Sequence, residues 1–230
     1  MLKCSSLKIT DKNLPLLDIS FTLKDSLALV GQSGSGKSLT LKAILGLLPR
    51  NLTCSIDLQS DFEFSLGENV AFIPQNPFTA LSPMTKISKQ FFASKDKMAE
   101  CLEMVKLDKS LVNRFPSELS GGQLQRVIIA FSLAQNPKLL MLDEPTTALD
   151  FDTKEKIVEL LKGLHEKMGF EILFVTHELA LAKRLCKECI VLKKGRIVES
   201  GESEKLFRKP SNVYTQALVD VEFERRSFRQ

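Results

Sequence analysis

The chain has 230 residues, of which 43% are hydrophobic and 26% charged, the composition of a globular protein with a sizeable core and far from that of a disordered chain. Its formal charge of +4 comes from 32 basic and 28 acidic residues scattered along the sequence, which is a weak argument for nucleic acid or anionic lipid as a partner. The longest apolar runs, such as Leu139 to Leu142 and Ile172 to Val175, are too short to cross a bilayer, and no signal-peptide core follows Met1, so the protein is expected to be neither integral to the membrane nor exported.

In chain order, Ile19, Phe21 and Leu23 alternate with polar residues, the period-two mark of a half-buried strand, and Leu7-Lys8-Ile9 is expected to pair with it as a small antiparallel edge. Ser26 to Val30 is a short apolar run that stops at Gly31, and Leu39 to Leu47 has helical character until Pro49. From Asn51 to Gly67 the polarity is mixed and defines no element. Val70 to Ile73 is a buried strand closed by Pro74, followed by a loop carrying Pro77 and Pro83. Lys86 to Lys106, with Phe91, Met98, Leu102 and Val105 recurring, suggests one or two short helices in a separate lobe.

After Gly121-Gly122, the apolar residues Leu124, Val127, Ile128 and Phe131 follow the spacing of one helix face. Leu139 to Leu142 is a buried strand, Asp152 to Met168 an amphipathic helix bearing Ile157, Leu160, Leu161 and Leu164, and Ile172 to Val175 a further strand. Alternating strands and helices imply crossover connections and a largely parallel sheet. Cys189 to Leu192 and Arg196 to Glu199, joined at Lys194-Gly195, are expected to form a hairpin closing that sheet, with a helical tail after it. His165 is placed on a polar helix face, at the surface. The five cysteines have no regular spacing; Cys186 and Cys189 form a C-x-x-C with no second pair to complete a metal site, and packed thiols are the better reading.

Three stretches carry chemistry. Gly31-Gln-Ser-Gly-Ser-Gly36-Lys37-Ser38 matches G-x-x-x-x-G-K-[ST] between a strand and a helix, the context of a P-loop. Gly31, Gly34 and Gly36 let the loop curl so that N–H groups, those at Ser33 and Leu39 among them, point at phosphate oxygens; Lys37 supplies a charge to the β- and γ-phosphates and Ser38 a hydroxyl to Mg²⁺. Asp143-Glu144 ends a buried strand where an open parallel sheet binds ligand: Asp143 would hold Mg²⁺ and Glu144 would polarise an attacking water. Taken alone, such a pair is more often a helix cap or a solvated turn than a site; with the P-loop upstream that balance reverses. Leu119-Ser120-Gly121-Gly122-Gln123 opens a helix and presents N–H groups, a hydroxyl and a dipole to a second anion; a serine-capped helix behind a glycine turn is the plainer alternative.

These elements, with Gln75 after the third strand, Ala148-Leu149-Asp150 after Glu144, and His177 after the next strand, resemble the nucleotide-binding domain of ABC transporters from about Leu16 to Gly201. The resemblance implies an α/β P-loop NTPase fold with a mostly parallel core sheet, a small antiparallel β edge and an inserted helical lobe. Residues 1–230 would form one domain, with the lobe at 77–120 and a C-terminal helical tail at 203–230. It further implies two such chains facing head to tail, each ATP lying between the P-loop of one and Ser120 to Gln123 of the other. Ser120 and Gly122 would meet the partner's γ-phosphate, Asp150 would couple the two sites, Gln75 would touch Mg²⁺ and water, and His177 would hold the γ-phosphate.

Phe72-Ile-Pro-Gln75-Asn-Pro77 with Leu81-Ser-Pro83, and Pro210-Ser-Asn-Val-Tyr214-Thr215-Gln-Ala-Leu218, are similar to the ATPases of oligopeptide, dipeptide and nickel importers. Val213 stands where that group usually has proline, and the stretch from Gln75 to Ser120 is short for it. The expected activity is ATP hydrolysis, with Mg²⁺, powering import of nickel, a metal chelate or a small peptide. The expected partners are a second ATPase subunit, two integral-membrane permease subunits and, indirectly, a substrate-binding protein; no nucleic acid is expected. The chain would lie peripherally on the cytoplasmic face of the inner membrane. A soluble non-transport ABC ATPase acting on nucleic acid or the ribosome is the alternative. Asp11 to Asp18, where the family's adenine-stacking aromatic is expected, has no Phe, Tyr or Trp. Phe78, Ala80 and Leu81, in the proline-bracketed loop, are expected to dock a permease helix, and Arg225, Arg226 and Arg229 to form a solvated basic tail.

Overall fold

The computed structural model describes residues 1–227, with side chains through Glu222; the end of the expected helical tail, including Arg229 and the side chains of Arg225 and Arg226, lies outside the described residues. In chain order the elements are β1 (Leu2–Asp11), β2 (Leu14–Leu23), β3 (Ser26–Val30), α1 (Lys37–Ile44), β4 (Leu52–Ser60), β5 (Val70–Ile73), α2 (Ile87–Gln90), α3 (Lys95–Met104), α4 (Gly121–Leu133), β6 (Leu139–Asp143) and α5 (Phe151–Met168). Then come β7 (Glu171–Thr176), α6 (Leu179–Leu185), β8 (Glu188–Lys193), β9 (Arg196–Glu202), α7 (Ser203–Arg208) and α8 (Val213–Ser227). The chain divides into two compact units, one of residues 1–63 and 171–230, the other of residues 64–170.

In the first unit β1 and β2 form an antiparallel hairpin that pairs Cys4 with Phe21 and Leu7 with Ile19, as their alternation predicts. Lys12 and Asn13, at the turn, have φ of 45° and 73°, the left-handed pair that a two-residue hairpin whose twist matches its strands requires. β4 lies on the other edge of β1, with Leu7 opposite Ile56 and Ile9 opposite Cys54, in the region whose mixed polarity left its assignment open. Leu52, Cys54, Ile56 and Leu58 do alternate, but none of them is buried and Ile56 is 38% exposed. Backbone pairing with β1, rather than burial, makes the strand.

A second sheet in this unit has the order β7-β3-β8-β9, parallel except for β9. With a neighbour on each side and both faces covered, β3 is buried at all five positions, which is why it reads as a continuous apolar run. α1 begins two residues before the expected helix and ends sooner. The N–H of Gly46 (φ 69°) bonds to the Ala43 carbonyl at 3.1 Å and that of Leu47 to the Lys42 carbonyl at 2.8 Å, a Schellman termination that stops the helix before Pro49 acts. Cys186 and Cys189 are buried at the junction of α6 and β8, and loss of solvation pushes both thiols well above their ordinary range.

In the second unit β5 and β6 run parallel, Val70 beside Leu139 and Ile73 beside Leu142. The Asn69 carbonyl accepts from the N–H groups of Lys138 (2.7 Å) and Leu139 (3.1 Å) and so sets that register. Helix α4 buries Leu124, Val127, Ile128 and Leu133, and its Phe131 meets Phe91 edge to face at 4.3 Å. Arg126 donates to the Val105 carbonyl at 3.0 Å, tying the end of α3 to α4. His165 is not a surface residue: it is half-buried, with Nδ1 2.6 Å from the Phe170 carbonyl oxygen and its ring 5.8 Å from that of Phe170. Leu81, expected to face a partner, is 9% exposed and belongs to the packing, whereas Phe78 is 50% exposed. Among the described residues no helix is long and apolar enough to cross a membrane.

Candidate functional site

The first unit supplies the phosphate-type cradle. β3 delivers the chain to Gly31, where an ideal Cβ would stand 2.3 Å from the Leu192 carbonyl oxygen, so no larger residue fits without moving β8. Gly34 and Gly36 take φ of 77° and 109°, conformations that L side chains avoid and that turn the loop back on itself. Gln32, Ser33 and Gly34 are exposed and form the crest of the loop. Gly36 has no side chain to cap α1, which leaves the first-turn N–H groups, those of Ser38 and Leu39 among them, facing out of the helix start. Lys37 is 5% exposed, and its ammonium donates to the carbonyls of Gly31 (2.8 Å) and Gln32 (3.2 Å). Thr40 donates to the Gly36 carbonyl at 2.9 Å and locks the start of the helix. This is a curled run of backbone donors around a buried cation, the arrangement that accepts a polyphosphate.

Two contacts that pattern reading did not find hold this loop from outside. The Gly195 N–H, in the β8–β9 turn, donates to the Ser35 carbonyl at 2.9 Å. The N–H of Gln32 donates to the hydroxyl of Tyr214 at 3.2 Å, and the Lys193 ammonium sits over the Tyr214 ring, 4.5 Å from its centre. Tyr214 is the chain's single tyrosine; its place in the importer-like stretch was the one signal available. Also in this unit, His177 is exposed just beyond β7. The turn after it is fixed by the Glu178 N–H donating to Thr176 Oγ1 at 3.0 Å.

The second unit supplies the acidic groups and the second helix start. Asp143 ends β6 and is 7% exposed. Glu144 follows with φ 44°, a left-handed conformation that costs a residue with a side chain about 1 kcal/mol or more and turns its carboxylate out of the strand line. Glu144 Oε2 accepts from Thr147 Oγ1 at 3.1 Å and, at the long distance of 3.4 Å, from Gln75 Nε2. Gln75 and Glu144, 69 positions apart, are thus neighbours.

At α4, Ser120 Oγ accepts from the Gln123 N–H at 3.3 Å while Gln123 Oε1 accepts from the Ser120 N–H at 3.0 Å, a reciprocal capping box. An ideal Cβ on Gly122 would stand 2.6 Å from Thr153 Cγ2, and one on Gly121 3.2 Å from Leu149 Cδ2. The glycines therefore let the helix start close on the segment that carries Asp150. Asp150 caps α5, accepting from the Thr153 N–H at 2.9 Å and from Thr153 Oγ1 at 2.7 Å. Those bonds hold its carboxyl below the usual range.

Ser38 in the first unit, and Asp143 and Gln75 in the second, each carry a side-chain oxygen, the donor type that suits Mg²⁺. The loop of curled amides, the uncapped α1 and the buried Lys37 suit a nucleoside triphosphate.

Comparison with known proteins gives the same direction. The family model described as ABC transporter matches residues 16–147. The chain is 38% identical to the oligopeptide transport ATP-binding protein OppD of Bacillus subtilis, over 85% of this chain and 62% of that protein. It therefore spans less than two thirds of that relative's length. It is 35% identical to the probable peptide ABC transporter ATP-binding protein y4tR of Sinorhizobium fredii, over 92% of this chain and 72% of that protein. Among solved structures, an ATP-binding cassette in a dimeric post-hydrolysis state bound to ADP and Pi superposes with a TM-score of 0.71 at 28% identity, covering 88% of this chain and 99% of that one. With its P-loop, its Ser120 capping box and these likenesses, the chain belongs to the ABC transporter family, with the α/β cassette fold of that family.

Proposed function

We propose that this chain is the ATP-binding and ATP-hydrolysing subunit of a membrane importer whose cargo is a small peptide. The observation that carries the proposal is the pair of glycine-bearing helix starts: α1, with no side-chain cap behind the left-handed glycines Gly34 and Gly36, and α4, where the Ser120–Gln123 capping box takes up only the Ser120 and Gln123 amides. A nucleotide needs one of them. The second is explained when two chains meet head to tail and each offers Ser120, Gly121, Gly122 and Gln123 to the triphosphate on its partner's Gly31 to Leu39 loop.

In this reading Lys37, already desolvated, neutralises the β- and γ-phosphates. The motifs assign Ser38, Asp143 and Gln75 to Mg²⁺, which when bound would supply charge neutralisation of the phosphate oxygens. Glu144 orients the attacking water and accepts its proton, and the Gln75 and Thr147 contacts keep its carboxylate aimed. His177 holds the γ-phosphate, and Asp150 couples the two sites. Two permease subunits and a substrate-binding protein complete the assembly at the cytoplasmic face of the inner membrane. Peptide is preferred to nickel because the relatives that the chain resembles are named for oligopeptide and peptide transport.

Glu144→Gln keeps every phosphate donor and removes the base. The purified variant should form a dimer with Mg²⁺-ATP, seen by light scattering, and turn over at least about a hundredfold more slowly than the unmodified chain. Hydrolysis at the normal rate overturns the reading. Cells carrying the variant should fail to take up a labelled tripeptide while nickel uptake is unchanged; the reverse pattern would make the metal the cargo.

A further inference from the structure

Helix α8 touches the P-loop and the start of α6 at two places. At its start, Tyr214 accepts the Gln32 N–H at 3.2 Å. Two turns on, the Glu222 carboxylate accepts the N–H of Leu179 at 2.7 Å and that of Ala180 at 2.8 Å, the first amides of α6, directly after His177-Glu178. Eight residues of α-helix separate the two contacts by about 12 Å. Thr215 and Val219, between them, are buried, so the helix lies on the unit along this length.

The start of α8 is itself clamped. Glu199 of β9 accepts from the N–H groups of Ser211 (2.7 Å) and Asn212 (3.2 Å). Asn212 in turn accepts the Tyr214 N–H at 2.8 Å and donates to the Val198 carbonyl at 3.3 Å. Lys193 holds the Tyr214 ring. A hydroxyl so fixed, on an aromatic that keeps few rotamers, sets the position of the amide that it accepts. The Glu222 carboxylate, at the positive end of α6, does the same for the turn that carries His177.

We propose that α8 is a positioning strap, with Tyr214 setting the P-loop and Glu222 setting the His177 turn, so that the two are held at a fixed separation. The proposal rests on the reading of these elements as the nucleotide site. Neither residue touches nucleotide; each acts through the backbone that it holds.

The test compares Tyr214→Phe, which removes one oxygen and keeps the ring over Lys193, with Glu222→Gln and Glu222→Ala. Amide exchange is followed by NMR in the ligand-free chain, and the Kd for ADP and the KM and kcat for ATP are measured in parallel. Tyr214→Phe should speed exchange at Gln32 and weaken ADP binding about three- to tenfold, the worth of one hydrogen bond, with kcat within about twofold of the unmodified value. Glu222→Gln should speed exchange at Leu179 and Ala180 and lower kcat with KM little changed. Glu222→Ala should also speed exchange at Gln32, because freeing one end of a strap loosens the other.

Unchanged exchange at β3 amides such as Leu29 shows that the variants remain folded; should Glu222→Ala unfold, Glu222→Gln is read for the same transfer to Gln32. If Tyr214→Phe alters neither Gln32 exchange nor ADP affinity, or if no Glu222 variant changes Gln32, the strap is refuted. A chain that binds no nucleotide at all would instead refute the ATPase reading, and the exchange comparison would still decide the strap.

Discussion

Replacing Gly195 with alanine should be among the most damaging single-methyl additions to this protein. Its φ of 74° is left-handed, and an ideal Cβ would stand 2.0 Å from the Leu16 carbonyl oxygen and 3.1 Å from Leu17 Cα. Carbon and a carbonyl oxygen approach to about 3.3 Å, so the backbone of β2 or of the turn must retreat by more than an ångström. That retreat strains two bonds, Asp18 N–H to the Gly195 carbonyl at 2.8 Å and Gly195 N–H to the Ser35 carbonyl at 2.9 Å.

At about 1 kcal/mol for each bond and about 1–2 kcal/mol for the left-handed alanine, the loss comes to about 3–4 kcal/mol, a large share of the about 5–15 kcal/mol that holds a typical domain. Gly169 is the control. It also has a left-handed φ, 73°, but beyond its own helix and chain neighbours nothing lies within 4 Å of its ideal Cβ, so Gly169→Ala should cost only the about 1–2 kcal/mol of the left-handed alanine itself. Urea unfolding of the two variants measures the difference. Because Ser35 lies in the P-loop, Gly195→Ala should also weaken ADP binding, whereas Gly169→Ala should not. Equal costs, or the reverse order, would refute the argument from close approach.

The thiols give a second test. A maleimide at pH 8 should modify the exposed Cys54 in the folded protein and leave Cys186 and Cys189 untouched, since burial pushes their thiols up, as it pushes Cys4 to about 11. All five should react in denaturant, and a native stoichiometry above one would contradict the packing. With no aromatic between Asp11 and Asp18, the base forgoes stacking worth about 1–3 kcal/mol, so competition titration should show ATP preferred over GTP by less than about tenfold. Strong discrimination would mean that another residue reads the base. Phe78→Asp should leave a folded, nucleotide-competent chain that no longer assembles with its permease. Leu81→Asp should destabilise the chain itself by about 2–5 kcal/mol, because the charge would sit in packed surroundings; equal melting temperatures for the two variants would refute that division.

The P-loop was legible in sequence because its constraints are local. Left-handed φ at Gly34 and Gly36 and the cap that Ser120 and Gln123 exchange are satisfied by residues a few positions apart, and the residue types required are few. Strands such as β3 and β6 declared themselves because burial on both faces leaves a contiguous apolar run. Where the deciding partner is distant, local pattern did not suffice. β4 carries period-two alternation but is defined by pairing with β1 some fifty residues earlier. Phe78 and Leu81 share one short loop, yet one is exposed and the other packed. His165 has the neighbours of a surface residue in sequence and the Phe170 carbonyl as its partner in space. Tyr214 reaches a P-loop amide 182 positions away, and Glu222 reaches the turn after His177 from 43 positions away. Local conformation follows from steric and hydrogen-bonding preferences that each residue carries with it, whereas which distant groups meet is decided only when the sheets close and the helices pack on them.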